Sequence, residues 1–480
     1  MKFYDREAEL AALRSAVTKR PILGLVRGRR RVGKTSLILE VLKEKSGIYL
    51  YVDNKKNEKA LLSEFGEILT KELALPSYAK VEKWEDLYEI IFSHDKLVVI
   101  DEFQRILDIS PSGINQLQNY WDRKGQNSKA AVILSGSNVG MIKKIFLAEG
   151  APLFKRALFD LHLKPLKFSN VREILNDMGI ADIAEQIRVY AVLGGVPFYY
   201  SLLQHGKFNS WKEIVNEVML SDLTPLKTEV RDTLVESFGK DHASYYAVIS
   251  AIALGKSKKK EIADFSGVKE TSISPYLYDL GELVDVIEYA VPVTEKKTWK
   301  SKQGQFTLSD NFFRFWFKYI FKNSSYYEEK NYEYLQELIS KDFESFVGRA
   351  FEGVAREFIV ELNKSGKLPV KFSKVGKWWN RKGDEVDVVL LSEDPSAAML
   401  IECKWGKDVD SNKVMSSLVE KEKLVRHGKK QVYYGIIAGG FKSKAEGAMC
   451  FDLQDIDKTL TANSKQRPKL TEFFDSQHKP

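Results

Sequence analysis

Short apolar runs alternate with longer polar segments along the first third of the chain. The runs, rich in Val, Ile and Leu, cover residues 22–26, 48–52, 96–100 and 130–135, and a segment of helix length follows each one. Uninterrupted apolar runs are typical of strands that are buried on both faces, as in a parallel sheet. The pattern therefore predicts an α/β fold in which a parallel sheet carries helices on both of its faces.

The hydrophobic pattern changes several times after residue 163. Helical spacing dominates first, and then three helix-like and two strand-like segments follow in the order of a winged helix-turn-helix. An aromatic stretch comes next, before strand-like runs return. We therefore predict an α/β multidomain chain with a sheet-containing core at 1–163, a helical lid at 164–238, a winged helix-turn-helix at 239–310, a helical connector at 311–342, an α/β unit at 343–460 and a polar tail at 461–480.

Length and composition narrow the class of protein. The 480 residues are 44% hydrophobic and 29% charged, which is ordinary for a folded chain of about three domains. The net charge of +8 permits a nucleic-acid partner but does not require one. Two cysteines, Cys403 and Cys450, cannot build a disulfide framework. Because no apolar run reaches the length of a signal peptide or a membrane span, we expect a cytoplasmic protein without a membrane partner.

A glycine-containing basic loop follows the first apolar run. Residues 28–35 read Gly-Arg-Arg-Arg-Val-Gly-Lys-Thr, which fits the phosphate-loop pattern GxxxxGK[ST] between a strand and a helix. The glycines let backbone N–H groups surround a phosphate, Lys34 supplies positive charge for the β- and γ-phosphates, and Thr35 offers a hydroxyl to Mg²⁺. The residues expected to bind ATP or ADP here are Gly28, Arg31, Val32, Gly33, Lys34, Thr35 and Ser36.

Polar side chains end two of the other apolar runs. The run at 96–100 is followed by Asp101 and Glu102. This pairing predicts that Asp101 holds Mg²⁺ through water and that Glu102 orients or deprotonates the attacking water. The run at 130–135 leads to Ser137 and Asn138, and in such sheets a side chain there can reach the γ-phosphate. Ser137 is the first choice for that contact, and ordinary turn chemistry is the alternative.

Several segments together resemble the archaeal ATPase family within the AAA+-like signal-transduction (STAND) ATPases. The resemblance adds to the phosphate loop an F-x-x-R-E-x-E-L start containing Phe3 and Arg6, implied to lie near the adenine. It also implies that Arg156, in Pro-Leu-Phe-Lys-Arg, is an arginine sensor of the γ-phosphate. The Gly-Gly-Val-Pro turn that ends at Pro197 is implied to lie in a helical lid against the nucleotide. Without the family, a surface arginine and a simple helix break are the alternatives.

Lysines are concentrated in the segment predicted to be a winged helix. Between residues 240 and 310, however, ten lysines are matched by ten acids, and the predicted recognition helix has no Arg or Gln to read base edges. Non-specific DNA contact or a purely structural role remains open, and sequence-specific readout is not supported. The candidate phosphate-contacting lysines are Lys256, Lys258, Lys259, Lys260, Lys296, Lys297, Lys300 and Lys302.

The last α/β unit carries a second chemical pattern. Asp387 lies in one strand-like run, and Glu402 and Lys404 share one face of the next run. If these strands pair, Asp387 and Glu402 can bind one divalent ion and Lys404 can position or activate water. Glu352, on a predicted helix at 343–361, can add a third carboxylate. The arrangement resembles the PD-(D/E)XK nuclease superfamily, although no proline precedes Asp387, and the resemblance implies Mg²⁺-dependent cleavage of phosphodiesters.

An acid-free stretch runs from residue 362 to 383. It contains seven basic residues interleaved with Phe372, Trp378 and Trp379. Basic side chains can contact phosphates and exposed aromatic rings can stack on bases, so the stretch is a candidate DNA-binding site. The alternative is that the tryptophans belong to the core and the basic residues are merely solvated.

These patterns predict an ATP-hydrolysing molecular switch, with ATP or ADP and Mg²⁺ as cofactors. DNA is the expected further partner of the C-terminal half, and whether that half also cuts the DNA is open. The alternative is a nucleotide-gated regulator that binds DNA or docks onto a protein, with a catalytically silent nuclease-like domain. Assembly into a homo-oligomer or with a partner protein is open, as is a role in a toxin–antitoxin or mobile-element defence system.

Overall fold

The computed structural model describes residues 4, 6–76, 78–204, 206–295, 303–394, 396–425 and 428–466. The chain divides into two compact units. The first unit comprises Met1–Pro165, Arg231–Tyr246 and Tyr278–Asp285, and the second comprises Leu166–Val230, Ala247–Leu277 and Val286–Pro480. Phe3, and with it the predicted adenine contact of that residue, lies outside the described residues, as do the candidate lysines 296–302.

A parallel sheet forms the centre of the first unit. Its five strands lie in the order β2-β3-β4-β1-β5, and every neighbouring pair is parallel. The predicted parallel α/β sheet is therefore confirmed. The strands are β1 (Ile22–Arg27), β2 (Ile48–Tyr51), β3 (Leu97–Asp101), β4 (Ala131–Gly136) and β5 (Phe159–His162).

Helices flank the sheet on both faces because side chains alternate along each strand. Leu23 and Leu25 of β1 belong to one buried cluster, and Ile22 and Val26 of the same strand belong to the other. Each face therefore needs its own cover of helices. The helices before the end of β5 are α1 (Glu7–Thr18), α2 (Lys34–Lys45), α3 (Glu58–Glu72), α4 (Trp84–Ser93), α5 (Ile106–Ile109), α6 (Pro111–Arg123) and α7 (Val139–Ile142).

The fifth strand was missed by the sequence pattern. β5 pairs with β1 at the edge of the sheet, and none of its four residues is fully buried. Its sequence, Phe-Asp-Leu-His, alternates apolar and polar residues over too few positions to stand out. An edge strand needs no long apolar run, since one side of it is open.

The middle of the chain is mainly helical. Three helices, α13 to α15, are followed by an antiparallel pair of strands, β6 and β7, within the segment predicted to be a winged helix. The two compact units divide this segment, with 239–246 and 278–285 assigned to the first. The elements are α8 (Phe168–Asp177), α9 (Ile183–Leu193), α10 (Pro197–Ser201), α11 (Trp211–Ile214), α12 (Glu229–Phe238), α13 (His242–Ala253), α14 (Lys259–Ser266), α15 (Ile273–Tyr278), β6 (Ile287–Ala290) and β7 (Gln305–Leu308).

The aromatic stretch leads into one long helix. After α16 (Asn311–Phe315) and α17 (Ser324–Glu328), α18 (Tyr332–Lys364) runs for 33 residues. The predicted boundary between connector and C-terminal unit, at 342/343, falls inside α18. A continuous stripe of buried residues from Leu335 to Leu362 explains why the helix does not break there.

A second, mixed sheet organises the C-terminal part of the second unit. Its strand order is β14-β12-β10-β9-β8. Strands β10, β12 and β14 are parallel to one another, and β9 is antiparallel to both of its neighbours, β8 and β10. Among the described residues, no helix is both long and apolar enough to cross a membrane. The elements are β8 (Lys374–Trp379), β9 (Glu385–Leu391), β10 (Ala397–Lys404), β11 (Val409–Asp410), α19 (Ser411–Glu422), β12 (Gln431–Ala438), β13 (Phe441–Ser443), β14 (Ala448–Phe451) and α20 (Leu453–Gln466).

Candidate nucleotide site and C-terminal carboxylate cluster

The phosphate loop joins the end of β1 to the start of α2. Gly28 has φ 152°, and a Cβ there would lie 2.4 Å from the carbonyl oxygen of Leu163. Gly33, with φ 101°, precedes the first residue of α2. Both positions require glycine, because L-residues rarely adopt these backbone angles. The loop thus has the shape in which backbone N–H groups can surround a phosphate at a helix N-terminus.

Lys34 is buried inside this loop, with 6% of its surface exposed. Its ammonium donates to the carbonyl oxygens of Gly28 and Arg29, at 2.9 and 3.1 Å. Burial lowers the pKa of Lys34, and the nearby carboxylates of Glu102, Asp101 and Glu236 oppose that shift. A buried ammonium held by backbone carbonyls is a good partner for an anion, so the loop fits the phosphates of a nucleotide.

The other predicted loop residues differ in exposure. Arg31 adopts φ 66° and Val32 is fully buried, so the backbone of the loop turns sharply around a packed side chain. Thr35 and Ser36, in the first turn of α2, are exposed. Thr35 nevertheless donates its hydroxyl to Asp101, over 2.9 Å, which brings two predicted Mg²⁺ ligands together.

Asp101, the last residue of β3, is buried and accepts three hydrogen bonds. The donors are Thr35, the hydroxyl of Tyr49 at 2.7 Å and the backbone N–H of Glu102 at 2.9 Å. Burial, followed by the bond to Asp101, raises the pKa of Tyr49, which stays a neutral donor. The sequence analysis did not single out Tyr49. The available signal was its position in the apolar run at 48–52, which forms the strand beside β3. These bonds hold the carboxylate in one orientation.

Glu102 is held in a left-handed conformation, with φ 55°. This backbone state costs free energy in a non-glycine residue and is often found at functional sites. The carboxylate accepts from Gln104 at 2.6 Å and from the Ser137 hydroxyl at 2.9 and 3.0 Å. Strain and hydrogen bonds together aim the Glu102 side chain towards Ser137, at the carboxyl ends of β3 and β4.

A residue from a distant part of the sequence, Glu236 of α12, also contacts this site. Its carboxylate lies 3.0 Å from the Ser137 hydroxyl and 2.9 Å from the guanidinium of Arg30 in the phosphate loop. Asn138 donates to the backbone carbonyl of Glu236 at 2.5 Å. Glu236 is 99 residues from Ser137 in sequence, so no local pattern could have indicated it.

Arg6 holds the phosphate loop in place through hydrogen bonds to backbone carbonyls. The side chain is buried and donates to the carbonyl oxygens of Val32, at 3.2 Å, and Lys164, at 2.6 Å. Its backbone is left-handed, with φ 78°. These contacts fix the loop between the first helix and the end of β5. A role of Arg6 beside the adenine stays a prediction.

Arg156 forms a two-pronged ion pair with Asp122 of α6. The guanidinium nitrogens lie 2.7 to 3.1 Å from the carboxylate oxygens, and the side chain also donates to the carbonyl of Pro152 at 3.1 Å. The ion pair raises the pKa of Arg156 further, so the group is always charged. Its sensing of a γ-phosphate stays a prediction that requires the pair with Asp122 to open.

The Gly-Gly-Val-Pro turn lies in the second unit and has a clear backbone explanation. Gly194 has φ 65°, and the hydroxyl of Tyr200 donates to its carbonyl at 2.5 Å. A Cβ on Gly195 would lie only 2.0 Å from the carbonyl oxygen of Leu166. Pro197 begins α10, where its missing N–H costs nothing. Its contact with nucleotide stays a prediction.

Replacing Gly195 with alanine is expected to destabilise the second unit by about 2–4 kcal/mol, because the new Cβ would collide with backbone that cannot move aside. The matched control is Gly353→Ala in α18, where nothing apart from the adjoining backbone of the helix itself lies within 4 Å of the added Cβ. That change is expected to stabilise the helix by about 0.5–1 kcal/mol. Thermal unfolding of both variants measures the two effects. Equal unfolding midpoints for Gly195→Ala and Gly353→Ala would contradict the close approach of Gly195 to the carbonyl of Leu166.

The C-terminal sheet brings Asp387 and Glu402 together. β9 and β10 are antiparallel, and the register that pairs Ile401 with Val388 places Glu402 beside Asp387. The backbone N–H of Cys403 donates to Asp387 at 2.8 Å. Burial, and then the charges of Glu402 and Glu352, raise the pKa of Asp387 to about 7. Asp387 and Glu402, two of the predicted metal ligands, therefore lie side by side in a site that is largely shielded from water.

Lysine side chains neutralise these carboxylates. Lys377 lies 3.3 Å from Glu352, 3.0 Å from Glu385 and 3.8 Å from Asp387. Glu402 is contacted by Lys404, at 2.9 Å, and by Lys421, at 3.0 Å. Sequence reasoning missed Lys377 and Lys421 in this role, since β8 and α19 reach the cluster only in the folded chain.

The carboxylate oxygens are of the type that Mg²⁺ prefers. Among the described residues, however, no three or more His, Cys, Asp or Glu side chains are arranged to hold a metal ion. Lys377 stands between Glu352 and Asp387 instead. The metal site of Glu352, Asp387 and Glu402 therefore stays a prediction, and it requires the lysine to move.

The aromatic rings of the acid-free stretch cannot stack on bases. Phe372, Trp378 and Trp379 are 4%, 6% and 8% exposed, and the indole N–H of Trp379 donates to the carbonyl of Gln303 at 3.0 Å. The base-stacking interpretation was therefore wrong, because all three rings are buried and Trp378 belongs to the hydrophobic core of the C-terminal sheet. Six of the seven basic residues of the stretch are exposed, namely Lys364, Lys367, Lys371, Lys374, Arg381 and Lys382.

The parallel sheet, the phosphate loop and the acidic end of β3 define the class of protein as a P-loop ATPase. Residues 3–203 match the family described as an ATPase domain predominantly from Archaea, and residues 316–417 match a family of archaeal and bacterial proteins of unknown function. An uncharacterised protein of Methanocaldococcus jannaschii is 35% identical over 457 residues, which cover 94% of this chain and 99% of the relative. The chain belongs to the family of that protein.

Two solved structures are similar at lower identity. The Walker-type ATPase of Pyrococcus abyssi is 19% identical with a TM-score of 0.46, covering 66% of this chain and 96% of that one. The Aeropyrum pernix ORC2 protein, solved as ADPNP-ADP complexes, is 16% identical with a TM-score of 0.41, covering 70% of this chain and 95% of that one. The family assignment rests on the full-length relative.

Proposed function

We propose that the chain is a molecular switch that binds and hydrolyses ATP with Mg²⁺ and thereby controls a DNA-binding C-terminal half. The observation that carries the nucleotide part is the convergence of the phosphate loop with the ends of β3 and β4. Lys34 and Thr35 begin α2, Asp101 and Glu102 lie at the end of β3, and Ser137 follows β4. Thr35 contacts Asp101 at 2.9 Å, and Ser137 contacts Glu102 at 2.9 Å. Each is the residue type that phosphoryl transfer requires.

In this proposal each side chain has a distinct task. Lys34 exchanges its carbonyl partners for the β- and γ-phosphates, and Thr35 and Asp101 hold Mg²⁺. The bound ion supplies neutralisation of phosphate charge. Glu102 accepts a proton from, or orients, the attacking water, and Ser137 turns its hydroxyl towards the γ-phosphate. Tyr49 holds Asp101 in one orientation by donating to it, which is a supporting role.

For the C-terminal half we propose a PD-(D/E)XK-like fold that binds DNA through phosphates. Support comes from the register of Asp387 against Glu402 and from the exposed basic residues of the acid-free stretch. Because the aromatic rings are buried, contacts to phosphates rather than to bases carry the binding. Cleavage requires Lys377 to leave Glu352 and Asp387 so that a divalent ion can enter.

The lysine contacts also favour the second candidate function, a regulator whose nuclease-like domain is silent. Lys377 and Lys421 already compensate carboxylates that would otherwise attract a cation. A winged helix in the middle segment is part of both candidates. Lys258 there donates to the carbonyls of Gln303 and Gly304, at 3.1 and 3.0 Å, which leaves the exposed Lys259 and Lys260 as better phosphate contacts.

Incubation of the full chain with supercoiled plasmid and Mg²⁺ or Mn²⁺ separates the two candidates. If the domain cleaves DNA, nicking is expected to fall at least about a hundredfold in Asp387→Ala and in Glu402→Ala, because each change removes a metal-binding carboxylate. The exposed Glu420, on α19, provides the matched control in Glu420→Ala. DNA retention in a gel-shift assay without nicking would instead establish the silent regulator. Nicking that persists in both variants would rule out this site.

A further inference from the structure

The contacts of Glu236 suggest a link between the nucleotide and the middle of the chain. Its carboxylate meets the Ser137 hydroxyl at 3.0 Å and the Arg30 guanidinium at 2.9 Å, within the same site as Glu102. We propose that Glu236 is a γ-phosphate-sensing residue, which holds Ser137 and Arg30 until a γ-phosphate binds and which that phosphate then displaces. The inference deepens the nucleotide part of the proposed function and is independent of any C-terminal activity.

Ser137 cannot donate its hydroxyl to Glu236 and to a γ-phosphate at the same time. Glu102 and Glu236 both lie within 3.0 Å of the Ser137 oxygen, but a hydroxyl carries one proton and can donate to one acceptor at a time. A phosphate oxygen at this position would be a third acceptor for the same proton. If Ser137 donates to the γ-phosphate, it no longer donates to Glu236.

Charge acts in the same direction. The carboxylates of Glu102, Asp101 and Glu236 all act on the buried ammonium of Lys34. A γ-phosphate placed against Lys34 adds negative charge beside these acids, and the partly exposed Glu236 is free to move to solvent. Asp101 is fixed by three donors and Glu102 by a strained backbone, so Glu236 is the acid that yields.

Movement of Glu236 has a physical route to the segment beyond it. Two positions further along, Phe238 stacks on Tyr245 of α13, with ring centroids 3.4 Å apart and planes within 4°. The Tyr245 hydroxyl donates to Asp279 at 2.7 Å, and Asp279 also pairs with Lys143 at 2.8 Å. All of these residues belong to the first unit. Displacement of α12 therefore disturbs a packed chain of contacts rather than an isolated side chain.

The test compares nucleotides that differ only in the γ-phosphate. For Glu236→Gln, which keeps the shape but removes the charge, we expect the affinity for Mg²⁺ and the ATP analogue AMPPNP to rise about fivefold or more. The affinity for Mg²⁺ and ADP should change less than about twofold by the same coupling argument. Isothermal titration calorimetry measures both. The matched control is Glu67→Gln, an exposed acid on α3 of the same unit.

A second measurement follows amide hydrogen exchange in the wild-type chain and in the variant. In the wild-type chain, AMPPNP is expected to speed amide hydrogen exchange in residues 231–246, whereas ADP is not. Glu236→Gln should show the faster exchange without nucleotide. Equal affinity changes for both nucleotides, or exchange that ignores the γ-phosphate, would overturn the proposal. If the wild-type chain binds no nucleotide at all, the ATP switch itself is refuted. Failure of the Glu236 proposal and failure of the ATP switch therefore give different results.

Discussion

Replacing Lys34 with alanine is expected to abolish nucleotide binding. The wild-type ammonium lies inside the phosphate loop, where it donates to two carbonyl oxygens. In the proposed function it exchanges these partners for phosphate oxygens when nucleotide binds. Hydrogen bonds to charged groups are worth about 1.5–3 kcal/mol each, so losing two weakens binding by roughly 10²- to 10⁴-fold. Calorimetric titration with ATP and ADP, together with steady-state ATP hydrolysis, measures the effect.

The matched control for this prediction is Lys43→Ala. Lys43 is exposed on the same helix and pairs with Glu40, so its loss removes the same charge at a distance from the loop. Near-normal binding and hydrolysis are expected, since exposed ion pairs contribute little. Circular dichroism and thermal unfolding show whether Lys34→Ala keeps its fold. Unchanged turnover in a folded Lys34→Ala chain would refute the assignment of the ATP site.

Replacing Glu102 with glutamine is expected to separate binding from hydrolysis. The amide keeps the shape of the side chain and its contact with Ser137, but it cannot accept a proton from the attacking water. General base catalysis contributes about 10²- to 10⁴-fold, so kcat is expected to fall by that factor. The affinity for ATP is not expected to fall, because the hydrogen bonds of Glu102 go to Gln104 and Ser137 and because the change removes a negative charge near Lys34.

Single-turnover hydrolysis and nucleotide titration check the two parts of this prediction. Glu58→Gln, on α3, removes a carboxylate that accepts from Ser110 and therefore controls for loss of an acid elsewhere in the first unit. A Glu102→Gln chain with near-normal kcat would assign the water-activating role to another group. Parallel loss of binding and turnover would show that Glu102 maintains the site rather than the chemistry.

The sheet of the first unit was largely predictable because each central strand is a local feature. Four apolar runs gave four of its strands, since burial on both faces leaves few polar positions in the sequence. β5 escaped because an edge strand of four residues obeys no such requirement. The boundary placed inside α18 failed for a related reason, because a helix can pass from one group of neighbours to the next without a local signal.

The residues of the two candidate sites also fall into a group that is contiguous in sequence and a group that only the fold brings together. Gly28 to Ser36 and the pair Asp101–Glu102 are contiguous in sequence, so their spacing could be read directly. Tyr49, Glu236 and Lys377 reach their partners only through the fold, from 52, 99 and 25 residues away. Contacts at such separation leave no periodicity in a single sequence. Whether a tryptophan faces the core or solvent is likewise set by neighbouring strands.

The burial of Trp378 and Trp379 has a consequence for how any DNA binding would respond to ionic strength. Stacking on bases is insensitive to salt, whereas each phosphate contact releases a counterion. With the rings removed from the surface, six exposed basic residues are left in the stretch. If all six contact phosphates, the logarithm of the binding constant falls with the logarithm of salt concentration with a slope of about −5. Such a surface would hold duplexes of any sequence equally and release them together as the salt rises.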